Sequence, residues 1–379
     1  MTRAPSLETI LAPSLPSSAY VEPSQFAAEK SRIFAREWMV AARSEEIAAG
    51  GRRVVDVAGE SILLLRAPDG QLHAHHNVCR HRGARLCEPE ADRKPGRPVI
   101  AEAVAGGFVR CPYHGWVYDA AGALVATPHV DPSGTFDRSG LSLYPVGLAE
   151  WGGFVFLCLT PQDAIPLEAQ IGEIAARLAN YPLADLRIGC RIAYEVDANW
   201  KIICENYNEC YHCGPMHPEL CALVPAFRQG GADGLDWRSG IPHRDGAVTF
   251  TWTGRTDRAS FPGLDENERT RHKGELLYPN LFLSLAADHV AAFILRPKGP
   301  ASTLVECLFL FAADEIAREG FDHADASTFW DVVNQQDWAI CERVQRGMSS
   351  SAHVQGFYAP MEDANLDMRR YLLERMSRA

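Results

Sequence analysis

The sequence lacks several features that would assign it to common functional classes. No window approaches the roughly 18 consecutive apolar residues that a membrane-spanning helix needs, and the first residues are rich in proline and serine. We therefore expect no signal peptide, no membrane anchor and a cytoplasmic location. Lysine and arginine are scattered along the chain, which argues against a nucleic-acid partner because phosphate binding needs a concentrated basic surface.

The chain also lacks a GxGxxG segment after a predicted strand, an internal repeat and a low-complexity tract. These absences exclude a dinucleotide-binding domain and a repeat architecture. What remains is a chain of 379 residues that is 47% hydrophobic and has a formal net charge of −11. Such values are typical of a globular protein long enough for two domains.

Eleven cysteines and 13 histidines require an explanation. In a small secreted domain that many cysteines would predict disulfides, but here they are spread over a long chain with no export signal. In a reducing compartment they are expected to be thiols or metal ligands.

Local patterns predict three parts of the chain. Residues 1–40 form an N-terminal segment, with a helix from Ser24 to Trp38, that packs on the catalytic domain. Residues 41–160 contain short β-prone runs separated by turn signals, which is typical of a small all-β domain. Residues 161–379 mix strands and helices in a second domain. Its predicted helices cover about 167–180, 326–347 and 363–377, and its predicted strands cover about 187–196, 247–253, 280–285, 290–296 and 303–311.

Two short segments of the all-β region each contain one cysteine and one histidine: Cys79 with His81, and Cys111 with His114. Two thiolates and two imidazoles can hold a tetrahedral zinc ion, or a [2Fe–2S] cluster with sulfur on one iron and nitrogen on the other. A Cys2His2 zinc finger takes both cysteines from one loop, whereas here each loop supplies one of each kind. The spacing decides only in part between these two sites.

A second constellation lies in the segment Asn199 to Pro218, which contains His212 and His217. On a continuous helix, histidines five residues apart point about 140° apart. They can converge on one metal only if the backbone breaks, and Gly214-Pro215 supplies such a break. Two histidines and one carboxylate leave open positions on a non-haem Fe(II), a geometry that activates O₂.

The candidate carboxylate is Asp337, in the middle of a helix predicted from Ser327 to Gly347. It lies within an apolar stripe formed by Val333, Ile340, Cys341 and Val344. A buried aspartate on such a face is unfavourable unless it is paired or bound to a metal. A salt bridge to Arg343 or Arg296 is the alternative interpretation.

Together these motifs resemble the α subunit of the Rieske non-haem iron oxygenases over nearly the whole chain. The run Glu-Cys-Tyr-His-Cys-Gly-Pro from Glu209, followed by His217-Pro218, is similar to the choline, glycine betaine and carnitine monooxygenase branch. Ring-hydroxylating dioxygenases usually have aspartate where this chain has Glu209. The resemblance implies an α+β fold: a small all-β Rieske [2Fe–2S] domain and a helix-grip-like catalytic domain with an antiparallel sheet flanked by helices.

The resemblance also implies two iron sites and their ligands. Cys79 and Cys111 would bind one iron of the cluster, and His81 and His114 the other. The mononuclear Fe(II) would be bound by His212, His217 and Asp337. Glu209 would be the bridge that carries electrons from one subunit's cluster to the neighbour's iron in a head-to-tail homo-oligomer, usually a trimer. A separate flavin and iron–sulfur reductase would supply electrons from NAD(P)H.

One feature departs from the family pattern. His81 and Cys111 are separated by 29 residues, 82–110, which is longer than usual. The inserted part, Glu88 to Gly107, is rich in charge, proline and glycine and is expected to be a surface excursion.

The branch predicts an oxygenase that hydroxylates or N-demethylates a small methylated amine or quaternary ammonium compound. Such cations bind to aromatic ring faces, and the candidate rings are Phe250, Trp252, Tyr278, Phe282 and Phe293. Arg296 or His289 could receive a substrate carboxylate. Two alternatives remain: a ring-hydroxylating oxygenase of an aromatic acid, and a non-catalytic electron carrier or zinc-binding protein.

Overall fold

The structure is a computed structural model that describes residues 11–88, 103–130 and 134–378. It separates into two compact units: residues up to Ile33 group with those from Glu168 onward, and Phe34–Leu167 form the other unit. Most of the predicted surface excursion, residues 89–102, lies outside the described residues. Among the described helices, none is both long and apolar enough to cross a membrane.

The unit of Phe34–Leu167 is built mainly of short antiparallel strands in three sheets. Numbered in chain order after β1 (Ala12–Pro16) of the other unit, these strands are β2 (Met39–Arg43), β3 (Arg52–Val57), β4 (Glu60–Arg66), β5 (Leu72–His76), β6 (Ala103–Ala105), β7 (Phe108–Arg110), β8 (Val117–Tyr118), β9 (Leu124–Ala126), β10 (Gly147–Trp151) and β11 (Phe154–Cys158). The strand orders are β10-β11-β2, β3-β4-β5 and β6-β7-β8-β9.

The two three-stranded sheets of this unit each have a continuously buried central strand. In β11 all five residues, Phe154–Cys158, are buried, and in β4 the four residues 62–65 are buried. A strand covered on both faces reads as an unbroken apolar run rather than an alternating pattern. The sequence contains such runs at both places, within the region 41–160 for which short β-prone runs are predicted.

The other unit carries a six-stranded antiparallel sheet in the order β12-β17-β16-β15-β14-β13, together with the pair β1-β18. Its further strands are β12 (Leu186–Val196), β13 (Ile241–Pro242), β14 (Arg271–Leu277), β15 (Leu281–Leu285), β16 (His289–Gly299), β17 (Ser302–Ala312) and β18 (Gln355–Tyr358). The α-helices, in chain order, are α1 (Ser18–Val21), α2 (Pro23–Glu29), α3 (Leu167–Ile171), α4 (Ile174–Arg177), α5 (Trp200–Tyr207), α6 (Cys213–Met216), α7 (Pro218–Leu223), α8 (Ala313–Ala317), α9 (Ala324–Met348) and α10 (Asp363–Met376).

The long helix α9 packs on the six-stranded sheet through polar as well as apolar contacts. The Tyr194 hydroxyl of β12 donates to Asp331 Oδ1 (2.8 Å), and Trp330 Nε1 donates to His289 Nε2 of β16 (3.3 Å). An antiparallel sheet held against a long helix is the arrangement predicted for the catalytic domain.

Three predicted elements differ from the structure. The helix expected from Ser24 to Trp38 is α2 continued by one π-helical turn, Lys30–Phe34. The stretch 167–180 contains two short helices, α3 and α4, instead of one. The strand expected at 247–253 is wrong, because this stretch forms turns and bends.

Side-chain hydrogen bonds explain the missing strand. Thr249 Oγ1 donates to the buried carboxylate of Asp288, and Thr251 Oγ1 donates to the Arg255 carbonyl oxygen (2.8 Å). Such local bonds compete with a β-ladder. The sequence did not indicate the short strands β1, β13 and β18, nor the longer strand β14, Arg271–Leu277, whose charged residues hide its alternation.

A buried polar network fixes helix α5, which leads into the segment with His212. Lys201 Nζ donates to Glu29 Oε1 (2.7 Å), and both side chains are at most 1% exposed. On the same helix, Glu205 Oε1 accepts hydrogen bonds from the hydroxyls of Tyr20 and Tyr358, each 2.6 Å long. The N-terminal segment and strand β18 are therefore tied to α5 by buried groups, which are costly to leave unpaired.

Replacing Glu205 with Gln should make stability less sensitive to pH. Burial raises the pKa of Glu205 from 4.5 to about 7. The unfolded chain therefore releases this proton at lower pH than the folded chain, and the wild-type protein loses stability as pH rises from about 4.5 to about 7. As pH rises from 5 to 8, the free energy of unfolding of the Glu205→Gln variant should increase by about 2 kcal/mol relative to that of the wild type. Urea unfolding followed by tryptophan fluorescence measures this difference.

The matched control for this experiment is Glu266→Gln, which changes an exposed glutamate of the same unit. It should show the pH dependence of the wild type. The expected titration would be contradicted if the free energies of unfolding of the Glu205→Gln variant and the wild type differed by a constant amount from pH 5 to pH 8.

Candidate metal centres and substrate cavity

The two Cys/His loops meet in the unit of Phe34–Leu167. Cys79 and Cys111 are buried, whereas His81 and His114 are exposed at the loop tips. The two imidazole rings lie 4.6 Å apart between centroids, and the His81 ring stacks on Trp116 at the same distance. Burial and the neighbouring Cys79 thiol raise the pKa of the Cys111 thiol. The two thiols thus adjoin each other inside the fold, and the two imidazoles adjoin each other at the exposed loop tips.

Each loop has the same backbone turn. The amide of Gly83 donates to the Cys79 carbonyl oxygen (3.0 Å), and the amide of Gly115 donates to the Cys111 carbonyl oxygen (3.0 Å). Both glycines have positive φ, 75° and 74°. Only glycine adopts this conformation without a steric penalty, so the flanking glycines are required by the turn that presents each histidine.

The second group of donors lies in the other unit, where two separate segments converge. Asn199 caps α5, its side-chain oxygen accepting from the Lys201 amide (3.0 Å), and α5 ends at Tyr207. The chain then turns into α6, which begins just after His212 and ends just before His217. The predicted break at Gly214-Pro215 is wrong, because both residues lie inside α6. The helical backbone ends instead at His217, whose φ and ψ are −122° and 71°.

Asp337 of helix α9 lies between the two histidines. Its Oδ1 atom is 3.0 Å from His217 Nε2 and 3.3 Å from His212 Nε2, and the two rings are 5.1 Å apart between centroids. The alternative partner Arg296 instead pairs with Glu306. Three donor atoms therefore face one point, as a two-histidine, one-carboxylate metal site requires.

The other ring nitrogen of each histidine is also held. His212 Nδ1 donates to Glu209 Oε1 (2.6 Å), and His217 Nδ1 donates to Gln336 Oε1 (2.7 Å). Gln336 Nε2 in turn donates to Glu219 Oε2 (3.3 Å). Such partners fix the tautomer and orientation of metal-binding histidines, so both Nε2 atoms are presented to the centre.

The electrostatics of this group favour a carboxylate anion between the rings. Burial acts to raise the pKa of Asp337, but the hydrogen bonds with His212 and His217 outweigh it and lower the pKa to about 2. Burial likewise acts to lower the pKa of His212, but Asp337 and Glu209 raise it to about 10. The charged forms of Asp337 and His212 are therefore each stabilised by a partner of opposite charge. A metal cation at the centre would stabilise the carboxylates in the same way.

A cavity of about 370 Å³ opens onto these three donors. Its wall is largely aromatic, and it also contains Asn206, Asn208, Ser284 and Asn334 as neutral polar groups. The aromatic side chains that line it are Tyr207, Phe227, Trp237, Tyr278, Phe282, Phe293, Trp330 and Trp338. A mostly apolar pocket with a few polar groups beside a cluster of titratable residues is typical of an active site.

Comparison with known families identifies both units. A family described as the ring hydroxylating alpha subunit (catalytic domain) matches residues 183–378, and the Rieske [2Fe-2S] domain matches residues 37–145. The chain belongs to the Rieske oxygenase α subunits. This confirms the resemblance and the enzyme class inferred from the two motifs and sets aside the non-catalytic alternative.

Three relatives of this oxygenase are named as monooxygenases of glycine betaine, carnitine or choline. The chain is 31% identical to the glycine betaine monooxygenase oxygenase subunit of Chromohalobacter salexigens, over 91% of this chain and 82% of that protein. It is 29% identical to the carnitine monooxygenase oxygenase subunit of Escherichia coli K12, over 89% and 85%. It is 28% identical to the chloroplastic choline monooxygenase of Arabidopsis thaliana, over 92% and 79%.

Solved structures confirm the fold class of the oxygenase. A quaternary ammonium Rieske monooxygenase is matched with a TM-score of 0.75 at 24% identity, covering 97% of this chain and 96% of that chain. Naphthalene 1,2-dioxygenase from Rhodococcus sp. is matched with a TM-score of 0.72 at 20% identity, covering 96% and 94%. At these identities the similarity establishes the fold and does not choose between amine and aromatic substrates.

Members of this family carry a Rieske cluster and a mononuclear iron, and the donors present fit both groups. Two buried sulfur atoms with two exposed imidazoles suit a cluster that is anchored from inside and reached from outside. Two Nε2 atoms and one carboxylate oxygen around one point suit a mononuclear iron with open positions. Cys79, Cys111, His81 and His114 would hold the cluster, and His212, His217 and Asp337 would hold the iron.

Five aromatic residues were predicted to bind substrate, and they lie in different environments. Tyr278, Phe282 and Phe293 line the cavity. Phe250 is fully buried behind the wall, where its ring lies 4.6 Å from that of His272 and 5.1 Å from that of Trp330. Trp252 is 48% exposed and donates to Thr328 Oγ1 (2.9 Å), away from the lining. Neither Phe250 nor Trp252 lines the cavity, because the strand predicted at 247–253 is absent.

The sequence interpretation did not single out several lining residues. Trp330 could have been found, because it lies two helical turns before Asp337 on the same face of α9. The buried residues of that helix, which include Trp330, Val333 and Cys341, define the stripe better than Val344, which is 37% exposed. Phe227, at the end of a short 3-10 helix, and Trp237, in a turn, gave no comparable signal.

One pair of cysteines differs from the expectation of free thiols. Cys210 and Cys213 form a disulfide that spans the turn between Glu209 and His212. The Cys213 sulfur is near His212 and His217, within 4.8 Å of their ring nitrogens, but it is bonded to Cys210. Asp337 is therefore the candidate third donor, because the Cys213 sulfur is held in the disulfide.

Replacing His212 with Ala should remove the mononuclear iron and leave the cluster in place. One of three converging donors is lost, while the Cys/His loops belong to the other unit. Iron should fall by about one atom per chain, oxygenase activity should vanish, and the visible spectrum of the cluster should persist. If the His212→Ala variant instead lost the cluster spectrum and kept the mononuclear iron, the ligands of the two sites would have been assigned the wrong way round.

Proposed function

We propose that this Rieske oxygenase hydroxylates or N-demethylates a small methylated amine or quaternary ammonium compound. The observation that carries the proposal is a cavity lined by aromatic rings that opens onto Asp337, His212 and His217. The relatives named for glycine betaine, carnitine and choline support it, since trimethylammonium is the chemical group that these compounds share.

Several rings are positioned to present their faces to a cation. Tyr207 stacks on Phe282 with centroids 4.5 Å apart, and its hydroxyl donates to the Leu283 carbonyl oxygen (2.8 Å). Phe293 and Trp330 form a T-shaped pair with centroids 6.1 Å apart, and the indole N–H of Trp330 donates to His289 Nε2. Tyr207 and Trp330 both line the cavity, and the parts of their rings that reach it can attract a methylated ammonium group by cation–π interaction.

The ligand residues and their partners prepare the site for oxygen chemistry. When bound, the cluster supplies electrons one at a time and the iron activates O₂. The net change consumes O₂, two electrons and two protons, converts one N–CH₃ group to N–CH₂OH and releases water. The hydroxymethyl group then leaves as formaldehyde: its hydroxyl proton is released when the substrate is a quaternary ammonium compound and passes to the nitrogen when it is an amine. Asp337, His212 and His217 hold the reacting centre, while the ring faces orient the methyl group towards it.

Glu209 is proposed to link subunits electronically. Its carboxylate holds His212 through both oxygens, Oε1 on the ring Nδ1 (2.6 Å) and Oε2 on the backbone amide (3.1 Å). In this proposal Glu209 connects the cluster of one subunit with the iron ligand of its neighbour in a head-to-tail homotrimer. A separate NAD(P)H-dependent flavin and iron–sulfur reductase supplies the electrons, and the enzyme acts in the cytoplasm.

A substrate panel tests the proposed reaction. Choline, glycine betaine, carnitine, trimethylamine and benzoate are each incubated with the oxygenase and a surrogate reductase. At least one of the four methylated amines should couple NADH oxidation to O₂ uptake and yield formaldehyde or a hydroxylated product. Coupled turnover of benzoate alone, with no response to any methylated amine, would favour the aromatic-acid alternative and refute the proposal.

Replacing Glu209 with Gln should stop electron transfer without removing either metal. The amide keeps the size of the side chain but loses the negative charge that pairs with His212. We expect both iron sites to stay filled and kcat to fall by at least about 100-fold, with the reduced cluster reoxidised slowly in the presence of substrate and O₂. Glu266→Gln is the matched control, and wild-type turnover by the Glu209→Gln variant would refute the bridging role.

A further inference from the structure

The charged residues of the cavity wall limit which other charged groups a substrate can carry besides its methylated ammonium group. Among the described residues that line the cavity, Arg177 is the only lysine or arginine. Arg296 and His289, which the sequence offered as partners for a substrate carboxylate, do not line it. Arg296 pairs with Glu306, and His289 is fully buried between Asp288 and Trp330.

Arg177 is already neutralised by carboxylates of the protein. Its Nε and Nη2 atoms donate to the two carboxylate oxygens of Glu275 at 2.6 and 2.7 Å, and Nη1 lies 3.6 Å from Glu173 Oε2. A guanidinium that pairs with a carboxylate through two parallel hydrogen bonds has its preferred partner. The hydrogen bond with Glu275 also raises the pKa of Arg177, so this side chain stays charged.

The remaining charges of the wall, outside the iron ligands and Glu209, are negative. Glu275 has a side chain that is only 9% exposed, and Asp367 lies at the exposed edge of the lining, where it pairs with Arg370 (2.6 Å). A carboxylate entering this space would meet two acids and one arginine that is already paired. It would have to displace Glu275, which would leave that buried carboxylate without its partner. An ammonium group needs only the ring faces.

We propose that the Arg177–Glu275 pair makes the cavity selective for methylated ammonium compounds without a carboxylate, such as amino alcohols and simple alkylamines. This inference rests on the proposed function and narrows its substrate class. It distinguishes compounds of almost equal size, because choline and glycine betaine share the trimethylammonium group and differ in a hydroxymethyl group against a carboxylate.

The test compares kcat/KM for choline and glycine betaine, with trimethylamine as a third substrate. In the wild-type enzyme, kcat/KM for choline or trimethylamine should exceed that for glycine betaine by at least about 10-fold. In the Glu275→Gln variant Arg177 keeps a hydrogen-bond acceptor but loses its counter-charge. The ratio of glycine betaine to choline should then rise by about 10-fold.

Two further variants separate charge from structure. The Arg177→Gln/Glu275→Gln double variant removes both charges and should return the ratio to near the wild-type value. Glu173→Gln is the matched control, since Glu173 is 73% exposed and lies farther from Arg177, and it should change the ratio by less than about twofold. Iron content shows in each variant that the site is intact.

The possible failures are distinguishable. Absence of coupled turnover with every methylated amine would refute the proposed function and this inference together. Wild-type turnover of glycine betaine or carnitine equal to or faster than that of choline and trimethylamine would overturn the inference and leave the proposed function standing. The wild-type comparison decides this even if a Glu275 variant does not fold.

Discussion

The structure of the catalytic unit depends on one contact, the approach of Asp337 Oδ1 to the Nε2 atoms of His212 and His217. An aspartate on the buried face of a long helix is unfavourable by itself. Two histidines that pair with it, and that hold Glu209 and Gln336 on their other nitrogens, make the arrangement favourable. The same contact brings three donor atoms to one point. The pairing that stabilises the buried aspartate therefore also forms the candidate metal site.

Holding these donors requires rigid supports, and much of that support is polar. Helix α5 is fixed by the buried pair of Lys201 and Glu29 and by the two tyrosine hydroxyls on Glu205. Helix α9 is fixed on the sheet through Tyr194 and Trp330. Each of these bonds would be costly to break in a buried setting. The iron site therefore rests on elements that cannot shift easily relative to one another within this unit.

The cavity shows how the same residues can serve two purposes. Aromatic rings that complete the hydrophobic core, such as Phe282 and Phe293, also line the cavity, where we propose that their faces attract a methylated cation. The acids around them favour positive charge in this space. Pairing of Arg177 with Glu275 removes the one basic group of the described wall that could offset them. The proposed attraction of a cation and the proposed rejection of an anion then have one cause, the distribution of charge in the wall.

The sequence by itself determined the elements whose signals are local. The Cys-x-His and Cys-x-x-His spacings, the neighbouring His212 and His217, and the position of Asp337 inside an apolar helical stripe are all properties of a few neighbouring residues. They were sufficient for the fold class and the family, and for naming candidate ligands. The same reasoning misplaced the strand at 247–253, because its threonines form hydrogen bonds with Asp288 and with the Arg255 backbone that the β-pattern does not reveal.

Only the tertiary structure decided which residues surround the substrate. The partners Arg177 and Glu275 are 98 positions apart in the chain, and His217 and Gln336 are 119 apart. Phe250 and Phe293 look equally suitable in the sequence, yet one lies behind the wall and the other lines it. Spacing along a strand or helix fixes which side chains share a face, whereas long-range packing fixes what that face meets. The chemistry of the iron was therefore readable from local motifs, but the charge and shape of the cavity were not.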